Sequence, residues 1–288
     1  MEKNIFASPG IKYFVLFFLS VLLVAGSCNF SGRKQLVGHI YVVKKRILSP
    51  KDIVPVKNPP VTPYVYTSTC SLSTLPIPEK KQKFFDMMLP AILVAKTNLD
   101  LTRQKVEALS KKKELSFSEK NTLNRLMKKF KTNNTRVLIS RLHTFPVSIV
   151  LAQAAIESGW GSSRFFLQAN NPFGIWSFDP KHQRIAADST RNGTKVFLRQ
   201  FDDLEQAIGN YYLLLATGKP FAAFRRARLQ TNNPDTLIQA LKMYSERREA
   251  YIDDLALVIR TSHLKRYDNY EIAPAFLRRE KTFRLFPE

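Results

Sequence analysis

The chain has 288 residues, enough for one large domain or two small ones, and 44% apolar with 11% aromatic residues specify a packed globular body. Lys and Arg number 45 against 23 Asp and Glu, a formal charge of +22. Such a charge does not choose a fold, but it selects an anionic polymer or surface as partner: nucleic acid, acidic phospholipid, or a wall polymer with free carboxylates. Two cysteines with no CxxC exclude a zinc-finger site, and four histidines with no HExxH spacing argue against a catalytic zinc, so no metal or other cofactor is expected.

Lys3 and Lys12 precede an uncharged run, Tyr13 to Ala25, that is shorter than the ~20 residues of a comfortable membrane span and fits the apolar part of an export signal. The run closes on Ala25, Gly26, Ser27 and Cys28, which resembles a lipobox, in which the cysteine is lipidated and becomes the mature N-terminus. Ordinary cleavage near Ser27 and an uncleaved anchor are the alternatives, and each puts residues 29–288 outside the cytoplasm. If Cys28 is lipidated, Cys70 is a free thiol; if not, the two could pair. Prolines at 50, 55, 59, 60, 63, 76 and 78 rule out long helices over residues 29–78, so an extended tether is expected, with short strands around Ile40 to Ile47 as the alternative.

Glu79 opens the folded part. Phe84, Phe85, Met88, Ile92 and Ala95 keep helical spacing, Pro90 predicts a kink, and the pattern resumes through Leu99, Val106 and Leu109. Ser118 to Phe130 reads as a second helix with Leu123, Leu126, Met127 and Phe130 inward, so residues 79–135 form a packing helical extension without chemistry of their own.

Pro146 suits the first turn of the next helix, with Thr144 or Phe145 at its cap. Val147, Val150, Leu151, Ala154 and Glu157 then recur at spacings of three and four, which places the glutamate on the core-facing stripe. Desolvation and the negative end of the helix dipole both disfavour its ionised form and raise its pKa. A glutamic acid kept protonated can pass a proton to a leaving oxygen. Gly159 and Gly161 leave that acid unobstructed, and Trp160 offers a flat face for a sugar ring; an exposed glutamate ending an amphipathic helix is the plainer alternative.

Asn170, Asn171, Pro172, Phe173 and Gly174 have turn chemistry, while Trp176 and Phe178 suit either an aromatic floor or the core. Arg184 to Ser189 and Thr194 to Phe201 flank Asn192 and Gly193, the signature of a tight hairpin. Asp202 with Glu205 predicts a capping box for a helix that faces the core through Leu204, Ile208, Tyr211, Tyr212 and Leu215. Asn233 and Pro234 begin another helix through Leu241. The stretch LKMYSERREAYIDDLALVI predicts a final long helix with Tyr251, Leu255, Val258 and Ile259 inward.

ESGWGSS followed by NNPFGIW is similar to the ESGWG and NNLFGIK signatures of the bacterial N-acetylglucosaminidase family that cuts peptidoglycan, most of all its Bax branch. The resemblance runs from the Bax-type extension KKQKFFDMMLPAIL to about Leu264 and leaves out residues 1–75 and the last twenty. It implies a mainly α fold with a small β-hairpin lobe, a lysozyme-superfamily-like glucosaminidase fold, with the catalytic domain over residues 136–288 including a basic C-terminal tail. It implies Glu157 as the general acid of an endo-β-N-acetylglucosaminidase. The second carboxylate would be Asp188 in the hairpin, ahead of Asp179 in a turn, or would be replaced by the substrate's own acetamido group. Tyr244 and Tyr251 match the family's tyrosine pair, although Ser245 and Glu246 replace its Ala-Thr and the intervening loop is longer; packing roles are the alternative for both. Trp160, Asn171, Phe173 and Tyr251 would bind substrate. The implied partners are peptidoglycan glycan strands and a membrane reached through an N-terminal lipid or signal anchor on the periplasmic side of the envelope. The oligomeric state is open. A lytic transglycosylase or muramidase is the enzymatic alternative, and a non-catalytic wall or nucleic-acid binding module the alternative of another class; no segment interleaves aromatics with a basic stripe, so specific nucleic-acid binding is not expected.

Overall fold

In the computed structural model the described residues are 37–191 and 194–279. The expected export signal and Cys28 lie outside them.

Residues 37–76, expected as part of a tether, are folded against the body. β1 (Val37–Ile40) pairs antiparallel with a strand at Leu277–Arg279 from the far end of the sequence, and β2 (Val43–Lys45) pairs in parallel with β3 (Tyr64–Tyr66). Ile47, Ile53, Val65, Tyr66 and Leu72 are buried in the main core. The prolines that forbid helices here fall between or beside these strands of three or four residues, where no ladder donor is needed. Two side-chain bonds add to the attachment: Thr69 Oγ1 donates to the Phe166 carbonyl at 2.8 Å, and Asn170 Nδ2 donates to the Thr67 carbonyl at 3.2 Å. Cys70 is buried as a free thiol.

α1 (Ile77–Ser110) is continuous through Pro90, with the run Phe84–Ala95 buried throughout. Proline removes the bond to the Asp86 carbonyl, but burial on all sides holds the helix across the gap. α2 (Phe117–Lys129) starts at a Ser116–Glu119 capping box and α3 (Thr135–Arg141) at Asn134. With the end of α1 they enclose a smaller cluster of Val106, Leu109, Leu123, Phe130, Leu138 and Leu142.

α4 (Val147–Glu157) is the central helix, buried without interruption from Val147 to Ala155 rather than on one stripe. Pro146 is itself the N-cap, and Asp268 supplies the missing acceptor for the first turn: Ser148 N and Oγ donate to its carboxylate at 2.7 and 2.9 Å. α5 (Arg164–Ala169) ends at Asn170, which takes the left-handed conformation with φ 48°. β4 (Arg184–Arg191) and β5 (Thr194–Arg199) form the expected hairpin, pairing Arg184 with Arg199 and Arg191 with Thr194, with an irregularity between Ala186 and Thr190.

α6 (Leu204–Thr217) is capped by Asp203 and not by Asp202: Gln206 N donates to Asp203 Oδ1 at 2.9 Å, while Asp202 exchanges bonds with the Gln206 side chain. Glu205 accepts from Asn98 instead of closing a capping box. α7 (Ala222–Ala227) and α8 (Pro234–Ile238) follow. The expected long final helix is broken. A 3-10 turn ends at Tyr244, Arg248 adopts φ 49°, and α9 (Glu249–Thr261) starts after it. β6 (Leu277–Arg279) closes the chain against β1. The protein is thus mainly α with a small β-hairpin lobe. Among the described residues no helix is long and apolar enough to cross a membrane.

Candidate active site

The C-terminal end of α4 is terminated by three consecutive residues with positive φ: Gly159 at 57°, Trp160 at 58° and Gly161 at 78°. Trp160 N donates to the Ala155 carbonyl at 2.7 Å, and the buried Ser158 hydroxyl donates to the Ala154 carbonyl at 2.6 Å while accepting from Gly161 N at 2.9 Å. At 161 the φ of 78° strains any side chain, and a Cβ would press on Phe166 at 3.1 Å and Phe84 at 3.2 Å. These bonds stop the helix at Glu157 and leave its side chain half-buried at the surface of the core.

Burial pushes the Glu157 carboxyl above its ordinary value; hydrogen bonding from Tyr251 and the nearby Arg247 charge oppose this without overcoming it. Tyr251, 1% exposed, receives Gln153 Nε2 on its hydroxyl at 2.9 Å and hydrogen-bonds Glu157. The Tyr211 hydroxyl in turn donates to Gln153 Oε1. The amide of Gln153 is therefore fixed at both ends, and a directed chain runs from Tyr211 through Gln153 and Tyr251 to the carboxylate. Tyr244 stacks on Tyr251 with ring centroids 5.7 Å apart and planes 7° off parallel, and its own phenol is pushed upward by burial and by the Glu157 charge. Arg247, held by Asp254 at 2.7 Å, lies 6.0 Å from the Tyr251 ring.

The sequence-derived candidates divide into two groups. Glu157, Tyr251 and Tyr244 come together from α4, α9 and the 3-10 turn before it. Asn171 and Phe173, expected on the substrate surface, are both buried. Asn171 is 1% exposed and spends its amide on the Ile175 and Arg199 carbonyls at 3.0 and 2.8 Å and on the Ile175 N–H at 2.9 Å, which fastens the turn to β5. Phe173 is buried and stacks on Tyr211 at 4.0 Å, 13° off parallel, so it braces the start of the hydrogen-bond chain. Trp160 is also less open than expected: Phe84 and Phe85 meet it edge-on at 6.1 and 5.6 Å, and Lys81 Nζ sits 4.6 Å from its ring centroid. Trp176 and Phe178 face solvent, 40% and 84% exposed with centroids 5.9 Å apart.

Asp188 lies in the irregular part of β4, 89% exposed and ion-paired with Arg164 at 3.1 Å. It is not among the groups that shift Glu157. Asp179 is a turn residue, its Oδ1 accepting from Lys181 N at 2.9 Å. Sequence reasoning missed Gln153 and Arg247. Gln153 is four residues before Glu157 and is the one amide in a helix whose other polar residues are Ser148 and Glu157, a signal that was present.

Residues 134–264 match the Glucosaminidase family, described as mannosyl-glycoprotein endo-beta-N-acetylglucosaminidase. The chain is 27% identical over 188 residues to Protein bax of Escherichia coli (strain K12), an alignment covering 60% of this chain and 66% of that one. It is 23% identical over 151 residues to Exo-glucosaminidase LytG of Bacillus subtilis (strain 168), covering 50% and 52%. The matched part thus spans about two thirds and one half of these two relatives. Among solved structures, the catalytic domain of the autolysin Auto from Listeria monocytogenes aligns with a TM-score of 0.38 at 17% identity, over 58% of this chain and 97% of that one.

Proposed function

With residues 134–264 forming a domain of the glucosaminidase family, related to Protein bax, we propose that this chain is a peptidoglycan hydrolase, an endo-β-N-acetylglucosaminidase that cuts the glycan strand after N-acetylglucosamine. The observation that carries the reading is Glu157 itself: one half-buried carboxyl, its pKa raised by burial, aimed by Tyr251 from the end of the central helix.

Glu157 delivers its proton to the glycosidic oxygen as the bond to the anomeric carbon breaks. The carboxylate left behind is stabilised by the Tyr251 hydroxyl and by Arg247, both of which favour the ionised form. The positive charge that develops on the sugar is met by the carbonyl oxygen of its own 2-acetamido group, which closes on the anomeric carbon. Water then opens that ring, giving a proton back to Glu157 and leaving retained configuration. This route needs no second protein carboxylate, in keeping with the exposed, ion-paired state of Asp188. Trp176 and Phe178 supply the open aromatic faces on which sugar rings stack. The charge of +22 concentrates the enzyme on an anionic wall. Its site of action is outside the cytoplasm, with a lipid on Cys28 holding it at a membrane.

Reduction of wall fragments with borohydride tests the bond assignment. The reading expects reducing ends that are reduced N-acetylglucosamine; reduced N-acetylmuramic acid would make the enzyme a muramidase, and 1,6-anhydro ends a lytic transglycosylase.

A further inference from the structure

A cleft of about 260 Å³, lined wholly by residues outside the family-matched segment, lies between the N-terminal segment, α1 and the 3-10 turn Leu264–Asn269. Lys57, Gln82, Asp86, Arg266, Tyr267 and Tyr270 line it. Asp86 is the unusual member. It is 2% exposed, and both hydrogen bonds it receives, from Val56 N at 3.1 Å and Gln82 Nε2 at 2.9 Å, end on Oδ1. Its Oδ2 accepts none from any described residue. That oxygen still reaches solvent, so it can accept from a donor that enters the cleft.

The opposite charge stands one glutamine away: Arg266 Nη2 donates to Gln82 Oε1 at 3.5 Å and to the Tyr267 hydroxyl at 2.7 Å. Lys57 adds a second cation at the rim. A simple amine would be repelled by Arg266 and Lys57, and a simple carboxylate by Asp86. A small group carrying both charges satisfies both sides, and the cleft is smaller than those that take whole drug-sized ligands. Tyr267 and Tyr270, edge to face at 5.1 Å, provide the apolar wall for the carbon between the charges. Tyr267 packs on Phe85 at 6.1 Å and Phe85 on Trp160 at 5.6 Å, so a row of rings connects this cleft to the loop that ends α4 three residues after Glu157.

We propose that this cleft binds an amino-acid end bearing a free ammonium and a free carboxylate, with Asp86 receiving the ammonium and Arg266 the carboxylate. Resting on the peptidoglycan reading, the natural source is a peptide stem of the glycan being cut, at a side chain that ends in such a group. The cleft thereby selects stems whose side-chain amine has not been consumed in a crosslink.

The test is titration of the full chain with a synthetic stem peptide ending in diaminopimelate, beside the same peptide with that side-chain amine acetylated or that carboxylate amidated. The peptide has no glycosidic bond, so its binding reads the cleft whatever Glu157 does, and a chain that binds it but cuts no wall would refute the glycosidase reading alone. The parent protein is expected to bind the free form about tenfold or more tightly than either capped form. Asp86→Asn, which retains the Oδ1 acceptor, should lose discrimination against the acetylated form only, and Arg266→Gln discrimination against the amidated form only. Equal affinity for all three peptides in the parent, or unchanged preferences in both variants, overturns the proposal.

Discussion

Tyr251→Phe removes one oxygen from the middle of the chain that aims Glu157. The ring remains, so its stack on Tyr244 is retained, but Gln153 Nε2 loses its acceptor inside a site where Gln153 is fully buried. An orphaned buried donor costs about 1–3 kcal/mol, which for a chain of this size lowers Tm by about 2–4 °C per kcal/mol. The second consequence is electrostatic. Tyr251 favours the ionised form of Glu157, so its removal raises a carboxyl pKa that burial has already raised. If Glu157 is active when protonated, the alkaline limb of kcat/KM must move to higher pH in the variant. The assay is hydrolysis of purified wall across a pH series, beside thermal unfolding of both proteins. An alkaline limb that stays in place or moves to lower pH would refute the role given to this hydroxyl.

Glu157→Gln removes a group whose folded pKa lies above its unfolded value near 4.5. Its contribution to stability is present below that pH and is lost as pH rises through the folded pKa, so the amide should raise Tm relative to the parent at pH 7 and leave it unchanged at pH 4; equal differences at both would contradict the burial of the charge. Phe173→Ala empties the space against Tyr211 and should cost about 3–5 kcal/mol in denaturant unfolding, with loss of activity beyond that of destabilised variants elsewhere. Asp188→Asn breaks an exposed ion pair worth at most about 1 kcal/mol and should leave the rate of wall hydrolysis unchanged; a deep loss of activity with the fold intact would restore Asp188 as the second carboxylate.

The centre of this molecule was readable because its signals are local. Apolar spacing announces the helix that carries Glu157, the Gly-Trp-Gly residues stop that helix at the required point, and the two strand segments around 184–189 and 194–201 pair as read. The N-terminal segment is not legible in the same way because part of its order is long-range: β1 is held by a strand at Leu277–Arg279, and no pattern within residues 29–78 announces that pairing. Asn171 and Phe173 show a different limit. An amide and an aromatic in a turn beside the helix that carries Glu157 suit a groove lining and a brace equally well, and only the saturated hydrogen bonds of Asn171 and the Phe173–Tyr211 stack decide between them. The shift of the α6 cap from Asp202 to Asp203 is a one-residue matter of which carboxylate reaches Gln206 N. Tyr211 was legible as core, but its bond to Gln153 depends on two helices meeting and has no trace in either one alone.

The central claim is that the Glu157 proton is the one transferred to the glycan. Glu157→Gln preserves size and hydrogen-bonding shape, so digestion of purified sacculi by parent and variant, with both proteins shown to be folded by their melting curves, isolates that proton. The rate should fall by about 10²- to 10⁴-fold. An amide variant that releases fragments as fast as the parent would contradict the account.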